Sequence, residues 1–254
     1  MDWSTNPGVD WPTDAMFSDI DLHTIVRFAP QALTKPWWLL DFIRNGGLPT
    51  LTVPNYATRE QPSWKFVEAL GLLNTGARPS WDDVAWVKER WGTSLPFLVK
   101  GVMHPDDARA AADAGATAIS VSTHGGNDFD SQLSPIAALP AIVDAVGDRL
   151  EVLLDGGVRR GSDVVKALAL GARAVLVGRP YLWALAARGE DGVYEMLEFL
   201  RRGIEQAMRV VSAPTIADLE RRHVLLPADV ERRVAVASPT DSSPPTMGSH
   251  AWSQ

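Results

Sequence analysis

The chain has 254 residues, of which 46% are hydrophobic and 22% charged, a composition that indicates a globular protein with a sizeable core and excludes wholesale disorder. Its formal net charge of −7 argues against nucleic acid as a partner, because nucleic-acid binders normally carry a basic patch. The sequence has no cysteine and no apolar run long enough to span a membrane, so we expect a soluble, cytoplasmic protein with no disulfide, metal or membrane partner.

The first part of the chain shows no regular alternation of strands and helices. It is rich in Trp and Pro, and it predicts one helix around Trp37 to Arg44 and a short, mostly apolar run from Leu48 to Val53. A helix from Trp81 to Trp91 follows, for which Ser80 is a favourable N-cap.

From Leu95 onward, four short apolar strands alternate with amphipathic helices. We predict the strands at Leu95–Val99, Ala118–Ser122, Glu151–Leu154 and Ala174–Val177. The helices between them are predicted from Pro105 to Ala114, Pro135 to Val146 and Ser162 to Leu170. This alternation indicates an α/β fold whose parallel sheet is covered on both faces. Four β-α units amount to about half of a closed (β/α)₈ TIM barrel.

Three regions are therefore expected along the chain. They are an irregular and helical amino-terminal segment at 1–79, a half-barrel domain at 80–235 and a disordered tail at 236–254, where Ser, Thr and Pro dominate. A half barrel exposes two unpaired strand edges, which soluble proteins avoid. We expect the chain to be a fragment of a longer protein that covers them; a second copy and the amino-terminal segment are the alternatives.

Two glycine-rich turns that carry arginine follow the third and fourth strands. They are Asp155-Gly156-Gly157-Val158-Arg159 and Gly178-Arg179. Glycines at a strand-to-helix turn let backbone N–H groups approach an anion at the helix amino end, and arginine adds a charge-assisted hydrogen bond. The loops after the last two strands are also the usual phosphate site of barrel enzymes. The alternative is that the glycines only form turns and the arginines only solvate the rim, which is the favoured interpretation for Arg160.

Two further polar residues stand at strand ends. His124 follows the second strand within Ser122-Thr123-His124-Gly125-Gly126, where an imidazole can take a substrate proton near neutral pH, although lone histidines are more often structural. Lys100 closes the first strand and can hold the negative charge that develops on a reduced cofactor ring. A lysine that merely extends its charge into solvent is the alternative.

At these residues, from roughly Pro79 to Leu226, the sequence resembles the FMN-dependent α-hydroxy-acid oxidases and dehydrogenases. The matching motifs are Leu98-Val99-Lys100-Gly101, Asp106-Asp107-Ala108-Arg109, Ser122-x-His124-Gly125-Gly126, Asp155-Gly156-Gly157-x-Arg159 and Gly178-Arg179. The resemblance implies that the 80–235 domain is the carboxyl-terminal half of a (β/α)₈ TIM barrel and that FMN is its cofactor. It implies that Lys100 stabilises the reduced flavin at N1, that Ser122 contacts the ring, and that His124 is the base as hydride passes to N5. The residues implied to hold the ribityl chain and phosphate are Asp155, Gly156, Gly157, Arg159, Gly178 and Arg179.

Asn127 departs from the family pattern. Members that act on hydroxy acids usually carry an arginine directly after His-Gly-Gly to bind the substrate carboxylate, and asparagine cannot form that ion pair. The branch with asparagine there acts in mycofactocin biosynthesis, and the chain also resembles it at Trp37–Asp41, Leu51–Asn55 and Tyr181–Trp183. The resemblance implies a peptide-derived lactam as substrate, bound by His124 and Asn127 and oxidised at an amine-bearing carbon.

Other functions stay open. One alternative is an FMN-dependent 2-hydroxy-acid dehydrogenase of the lactate or glycolate type, which Asn127 disfavours. Another is a truncated, inactive flavin-binding paralogue, because the family places four further β-α units before these and Thr123 replaces its usual asparagine. A relative of inosine-monophosphate dehydrogenase is disfavoured by the lack of a cysteine nucleophile. The partner expected is a small molecule or modified peptide, and the family resemblance suggests a homo-oligomer.

Overall fold

The computed structural model describes residues 22–46, 79–126, 131–228 and 230–231. These residues fall into two compact units, one containing 22–46 and the other everything described from Pro79 onward. The predicted apolar run Leu48–Val53, Asn127 and the predicted tail at 236–254 lie outside the described residues.

The first unit contains two helices, α1 (Leu22–Leu33) and α2 (Pro36–Arg44). Helix α2 has Pro36 in its first turn, where a missing N–H costs no helical hydrogen bond, and it confirms the predicted helix at this place. The rings of Trp38 and Phe42, one turn apart on α2, stack with their centroids 5.1 Å apart. Helix α1 was not predicted, because Pro30 lies inside it and proline usually ends a helix.

The second unit is built on a four-stranded parallel sheet. Its strands are β1 (Leu98–Val102), β2 (Ala118–Val121), β3 (Glu151–Asp155) and β4 (Ala174–Leu176), in spatial order β1-β2-β3-β4. The helices are α3 (Trp81–Trp91), α4 (Pro105–Asp113), α5 (Pro135–Val146), α6 (Gly161–Ala169) and α7 (Arg179–Val210). Sequential parallel strands joined by helices are the arrangement of a partial TIM barrel, so the predicted α/β half-barrel architecture is confirmed.

The hydrophobic core lies on one face of this sheet. Strand residues such as Val99, Ile119 and Leu154 are buried there against α4, α5 and α6. On the other face, Leu98 and Leu176 are each 40% exposed. The expectation of cover on both faces is therefore not met at the two edge strands, β1 and β4, whereas Ser120, on the same face of the central strand β2, is buried. The reason is that right-handed crossovers in a barrel place every helix on the outer side, so the inner face depends on the remaining strands.

Strand β1 differs from its prediction. It begins at Leu98 rather than Leu95, since Pro96 has no N–H to contribute to a ladder, and it continues beyond Lys100 to Val102. The pairing with β2 shifts between Lys100 and Val102, and Gly101 between them has a φ of +96°. Lys100 therefore lies inside the strand, directly before a bulge, instead of at its end.

Helix α7 anchors the start of α6. Gly161, the first residue of α6, packs against Gly203 so closely that a Cβ on Gly161 would clash with the backbone nitrogen of Ile204. Helix α7 itself is interrupted at Arg188 and Gly189, where the backbone leaves helical geometry. The close crossing fixes the position of the loop that joins β3 to α6.

Candidate functional site

Three neighbouring strands bring Lys100, Ser122 and Asp155 together. Lys100 on β1 donates from Nζ to Ser122 Oγ at 2.7 Å and lies 3.0 Å from Asp155 Oδ2 at the end of β3. Ser122 directly follows β2, the strand between the other two. The Lys100 and Asp155 side chains are 39% and 14% exposed, so the ion pair is only partly shielded from water.

The hydroxyl of Ser122 is fully engaged. It donates to Asp155 Oδ1 at 2.7 Å, and it accepts from Lys100 Nζ at 2.7 Å and from the backbone N–H of His124 at 3.1 Å. A serine hydroxyl has one hydrogen and two lone pairs, so these three bonds use its whole capacity. Buried Ser122 thereby connects the lysine, the aspartate and the turn that carries the histidine.

The carboxylate of Asp155 is held by three groups. Besides Lys100 and Ser122, it accepts a hydrogen bond at Oδ2 from Ser120 Oγ at 3.0 Å. Burying a carboxylate is costly unless it is paired and hydrogen-bonded, and this one has both kinds of partner. Its orientation is therefore strongly fixed.

His124 opens a short 3₁₀ turn, His124–Gly126, immediately after β2. Its φ of +52° is uncommon for a residue with a side chain, and such strain costs on the order of 1 kcal/mol. The exposed imidazole lies over Gly101, because a Cβ at Gly101 would approach His124 Cε1 to 3.1 Å. The strained turn and the glycine bulge of β1 together set the position of the ring.

The two glycine-arginine turns follow adjacent strands, β3 and β4. Gly156 and Gly157 have φ values of +95° and +79°, conformations that favour glycine. A Cβ on Gly157 or on Gly178 would meet no heavy atom within 4 Å, so both backbones face open space. Uncovered glycine backbone beside exposed arginine is the donor set that an anion such as the FMN phosphate requires, and the residues present fit that group.

The two arginines of these turns differ in their contacts. Arg179 donates from Nη2 to the carbonyl of Gly125 at 2.9 Å, which links the loop after β4 to the histidine turn. The Arg159 side chain is exposed, and its backbone N–H, like that of Arg160, donates to Asp163 Oδ2, at 3.1 and 3.0 Å respectively. Asp163 thus orders the entry to α6 without engaging either guanidinium.

The predicted site residues are therefore connected to different degrees. Lys100, Ser122, His124 and Asp155 form one network of contacts, and Arg179 joins it through Gly125. Gly156, Gly157, Arg159 and Gly178 lie on the loops beside that network, and the predicted substrate contact Asn127 lies outside the described residues.

Sequence reasoning missed the contributions of Ser120 and Gly101. The signal for Ser120 was its spacing, because residues two apart in a strand share a face and Ser122 was already a candidate. Gly101 offered only the rarity of glycine inside a strand, which often marks a bulge or a close approach.

Within the part of the chain that the structure describes, no group of three or more His, Asp or Glu side chains is placed to hold a metal ion. A search of the same residues also finds no helix that combines the length and apolar character needed to cross a membrane.

The fold and this site define the class of the protein. The chain belongs to the FMN-dependent dehydrogenase family, which matches residues 15–226, and FMN is the cofactor of that family. It is 47% identical over 240 residues to pre-mycofactocin synthase of Mycobacterium tuberculosis, an alignment that covers 94% of this chain and 60% of that protein. It is 45% identical to L-lactate dehydrogenase of Caulobacter vibrioides over 199 residues, 78% of this chain and 51% of that one.

A solved structure of mandelate oxidase with (S)-2-phenylpropionate resembles the chain with a TM-score of 0.54 and 42% identity, over 72% of this chain and 49% of the oxidase. Mandelate oxidase carrying a monooxide FMN adduct gives the same TM-score at 47% identity, over 58% of this chain and 46% of that one. The chain thus spans about half to three fifths of the length of the relatives it matches.

Proposed function

We propose that this chain binds FMN and provides the carboxyl-terminal half of an oxidoreductase site that removes a hydride from a substrate carbon. The observation that carries the proposal is the bonded set of Lys100, Ser122 and Asp155 from three adjacent strand regions. The imidazole of His124 rests on Gly101 beside it. A cation, a base and an anion site at the same end of a parallel sheet are what flavin-dependent oxidation requires.

The loops after β3 and β4 would hold the cofactor phosphate. Gly157 and Gly178 present uncovered backbone, and the guanidinium groups of Arg159 and Arg179 add positive charge. Arg179 has five N–H donors, and its bond to Gly125 leaves others for a phosphate oxygen. Asp155, fixed between Lys100 and two serines, would accept a hydrogen bond from a hydroxyl of the ribityl chain.

Lys100 and His124 would be the protein groups that take part in the reaction. FMN, when bound, supplies the acceptor for the hydride, which carries both electrons of the oxidation. Lys100 would offset the negative charge that the ring gains, and its ammonium is already oriented by Ser122 and Asp155. His124 would take the proton from the amine or hydroxyl of the substrate as the hydride leaves the adjacent carbon.

For the substrate, we propose an amine-bearing carbon of a peptide-derived lactam. Two observations support this choice: the 47% identity to pre-mycofactocin synthase, which extends over 94% of the chain, and Asn127, which cannot form an ion pair with a carboxylate. The second candidate is a 2-hydroxy acid, favoured by the 45% identity to L-lactate dehydrogenase. A flavin-binding chain without turnover is the third, since the chain spans 60% of the first relative. The cytoplasmic location and the homo-oligomer stay predictions.

Fluorescence titration tests the cofactor assignment. The whole chain is added to a fixed concentration of FMN, and we expect saturable quenching of the flavin emission. Replacing both Arg159 and Arg179 by alanine is expected to weaken binding by about tenfold or more, since each removes a charge-assisted hydrogen bond. The matched control is Arg173→Ala, an exposed arginine that pairs with Glu151 at the opposite end of the sheet. Absence of quenching by the unaltered chain would overturn the proposal.

Turnover tests the substrate. The flavin-loaded chain is supplied with an artificial electron acceptor and either a lactam bearing a free amine or one of lactate, glycolate and mandelate. Oxidation of the lactam alone is the expected result. Oxidation of the hydroxy acids would favour the second candidate, and flavin binding without turnover of any substrate would favour the third.

A further inference from the structure

Ser120 lies in the middle of the candidate site and has no assigned role. Its side chain is 0% exposed, and it shares its face of β2 with Ser122 two residues further on. Its hydroxyl donates to Asp155 Oδ2 at 3.0 Å. Ser120 thus donates its hydrogen bond to the same carboxylate oxygen that Lys100 contacts. A buried hydroxyl in this position can control how the lysine is bound.

The contacts of Lys100 show that the position of its ammonium depends on Asp155. An ammonium has three N–H donors, and one of them donates to Ser122 Oγ at 2.7 Å, while the ammonium nitrogen forms an ion pair with Asp155 Oδ2 at 3.0 Å. Its other N–H groups remain for the Asp155 carboxylate and for a further acceptor. The ammonium keeps a defined position only while the hydrogen bond to Ser122 and the ion pair with Asp155 both stay in place.

The carboxylate of Asp155 is the group most able to disturb this arrangement. A carboxylate has about four acceptor positions, so a freely turning one can attract a second hydrogen of the same ammonium. Here Ser122 holds Oδ1 at 2.7 Å, and Ser120 occupies one position on Oδ2 at 3.0 Å. With both oxygens held, the carboxylate cannot turn, and its ion pair with Lys100 keeps the observed geometry.

We propose that Ser120 is a positioning residue: by fixing the Asp155 carboxylate, it holds the ion pair between that carboxylate and Lys100 and so keeps the ammonium in place for the cofactor ring. This role rests on the proposed function, because the ring is that of FMN. Ser120 itself does not touch the reacting atoms. Its effect is transmitted through Asp155 to Lys100 and should be largest when the ring is reduced and negatively charged.

A double-mutant cycle on the FMN-free chain tests the transmission independently of the cofactor. Ser120→Ala, Lys100→Met and the double variant are unfolded with urea, and their unfolding equilibrium constants are compared with that of the unaltered chain. We expect the effect of the double variant to differ about threefold or more from the product of the single effects, since the two side chains share Asp155. Multiplicative effects would overturn the proposed coupling.

Flavin affinity tests the consequence for the cofactor. In Ser120→Ala, we expect a nearly unchanged dissociation constant for oxidised FMN and an approximately tenfold weaker affinity for reduced FMN, the size of one hydrogen bond to a charged group. Ser120→Thr, which restores the hydroxyl, should recover most of the ratio between the two constants. The control is Thr117→Val, which removes the hydroxyl that bonds Phe97 N at 2.8 Å at the other end of β2.

The control separates a positioning role from a purely structural one. Thr117→Val should lower the stability of the chain and leave the ratio of the two flavin constants unchanged. An equal change of the ratio in both variants, or no change in Ser120→Ala, would contradict the role assigned to Ser120. Failure of the unaltered chain to bind FMN would instead overturn the proposed function, and the cycle on the FMN-free chain would still decide the coupling.

Discussion

Lys100 Nζ and Asp155 Oδ2 lie 3.0 Å apart although β1 and β3 are not neighbouring strands. Strand β2 runs between them, and Ser122, which follows it, contacts both side chains. The pair therefore exists only when β1, β2 and β3 are in their observed register. The geometry of the candidate site therefore depends on correct assembly of the sheet.

Replacing His124 by alanine should separate flavin binding from turnover. The residue contributes its imidazole to the site but is not among the groups proposed to hold the phosphate, so the dissociation constant for FMN should stay within about twofold of the original. The turnover rate should fall by about 10²- to 10⁴-fold, the usual contribution of a general base. The two are measured by fluorescence titration and by dye reduction, and an unchanged rate would rule out this residue as the base.

Replacing Gly101 by alanine should displace the imidazole. The new Cβ would lie 3.1 Å from His124 Cε1, and alanine would also be strained at a φ of +96°. Gly92→Ala provides the matched control, because Gly92 has a φ of +79° and open space around it. Both variants should lose about 1 kcal/mol of stability.

The imidazole proton resonances of His124 distinguish the two glycine variants. They should move in Gly101→Ala and stay in place in Gly92→Ala. Identical spectra for the two variants would show that Gly101 does not position the ring.

Replacing Arg179 by lysine should weaken FMN binding despite the retained charge. The planar guanidinium bonds the Gly125 carbonyl at 2.9 Å while keeping further donors for a phosphate, and an ammonium cannot reproduce that fork. We expect an affinity loss of about tenfold in the fluorescence titration, larger for alanine than for lysine. Equal affinity for all three proteins would mean that the loop after β4 does not contact the phosphate.

The amino end of α3 should give the stability of the chain a pH dependence. Ser80 donates its backbone N–H and its hydroxyl to Asp83, and these bonds hold the pKa of that carboxyl below its ordinary value. A depressed pKa in the folded state stabilises the fold above the unfolded-state value, and the contribution is lost as the pH falls through the folded-state value. Ser80→Ala should therefore lower Tm by about 2–4 °C at pH 7.

Thermal unfolding of both proteins across a pH series measures this effect. The difference in Tm between the original chain and Ser80→Ala should shrink as the pH falls below the ordinary carboxyl value of about 4 and disappear below the lower folded-state pKa of Asp83. A difference that stays constant down to pH 2 would show that the carboxylate takes no part in the cap.

Local signals explain which elements the sequence predicts well. Helix α5 runs from Pro135 to Val146 as expected, because proline favours the first turn and Gly147 follows the last residue. Ser80 caps α3 as expected, since its side chain and that of Asp83 complete a capping box. The start of β1 was placed three residues early because Leu95 extends the apolar run, whereas Pro96 stops the ladder.

The candidate site could be predicted only in part, because its contacts join segments that are distant in the sequence. The residue types at the predicted strand ends indicate Lys100, His124 and Asp155 one by one, but the ion pair between Lys100 and Asp155 depends on a register between distant segments. Ser120 escaped prediction because a serine within an apolar strand carries no sign of its partner. The contact between the His124 ring and Gly101 depends on a bulge in β1 that no local sequence pattern specifies.

The most direct test is an amide NMR titration of the chain with FMN. If the turns after β2, β3 and β4 face a common cavity, the N–H signals of Gly125, Gly157 and Gly178 will shift together with a single dissociation constant, and those of Thr117 and Arg173, at the amino ends of the strands, will not. Shifts confined to one of these turns, or spread over the amino ends, would contradict the shared cavity on which the proposed function depends.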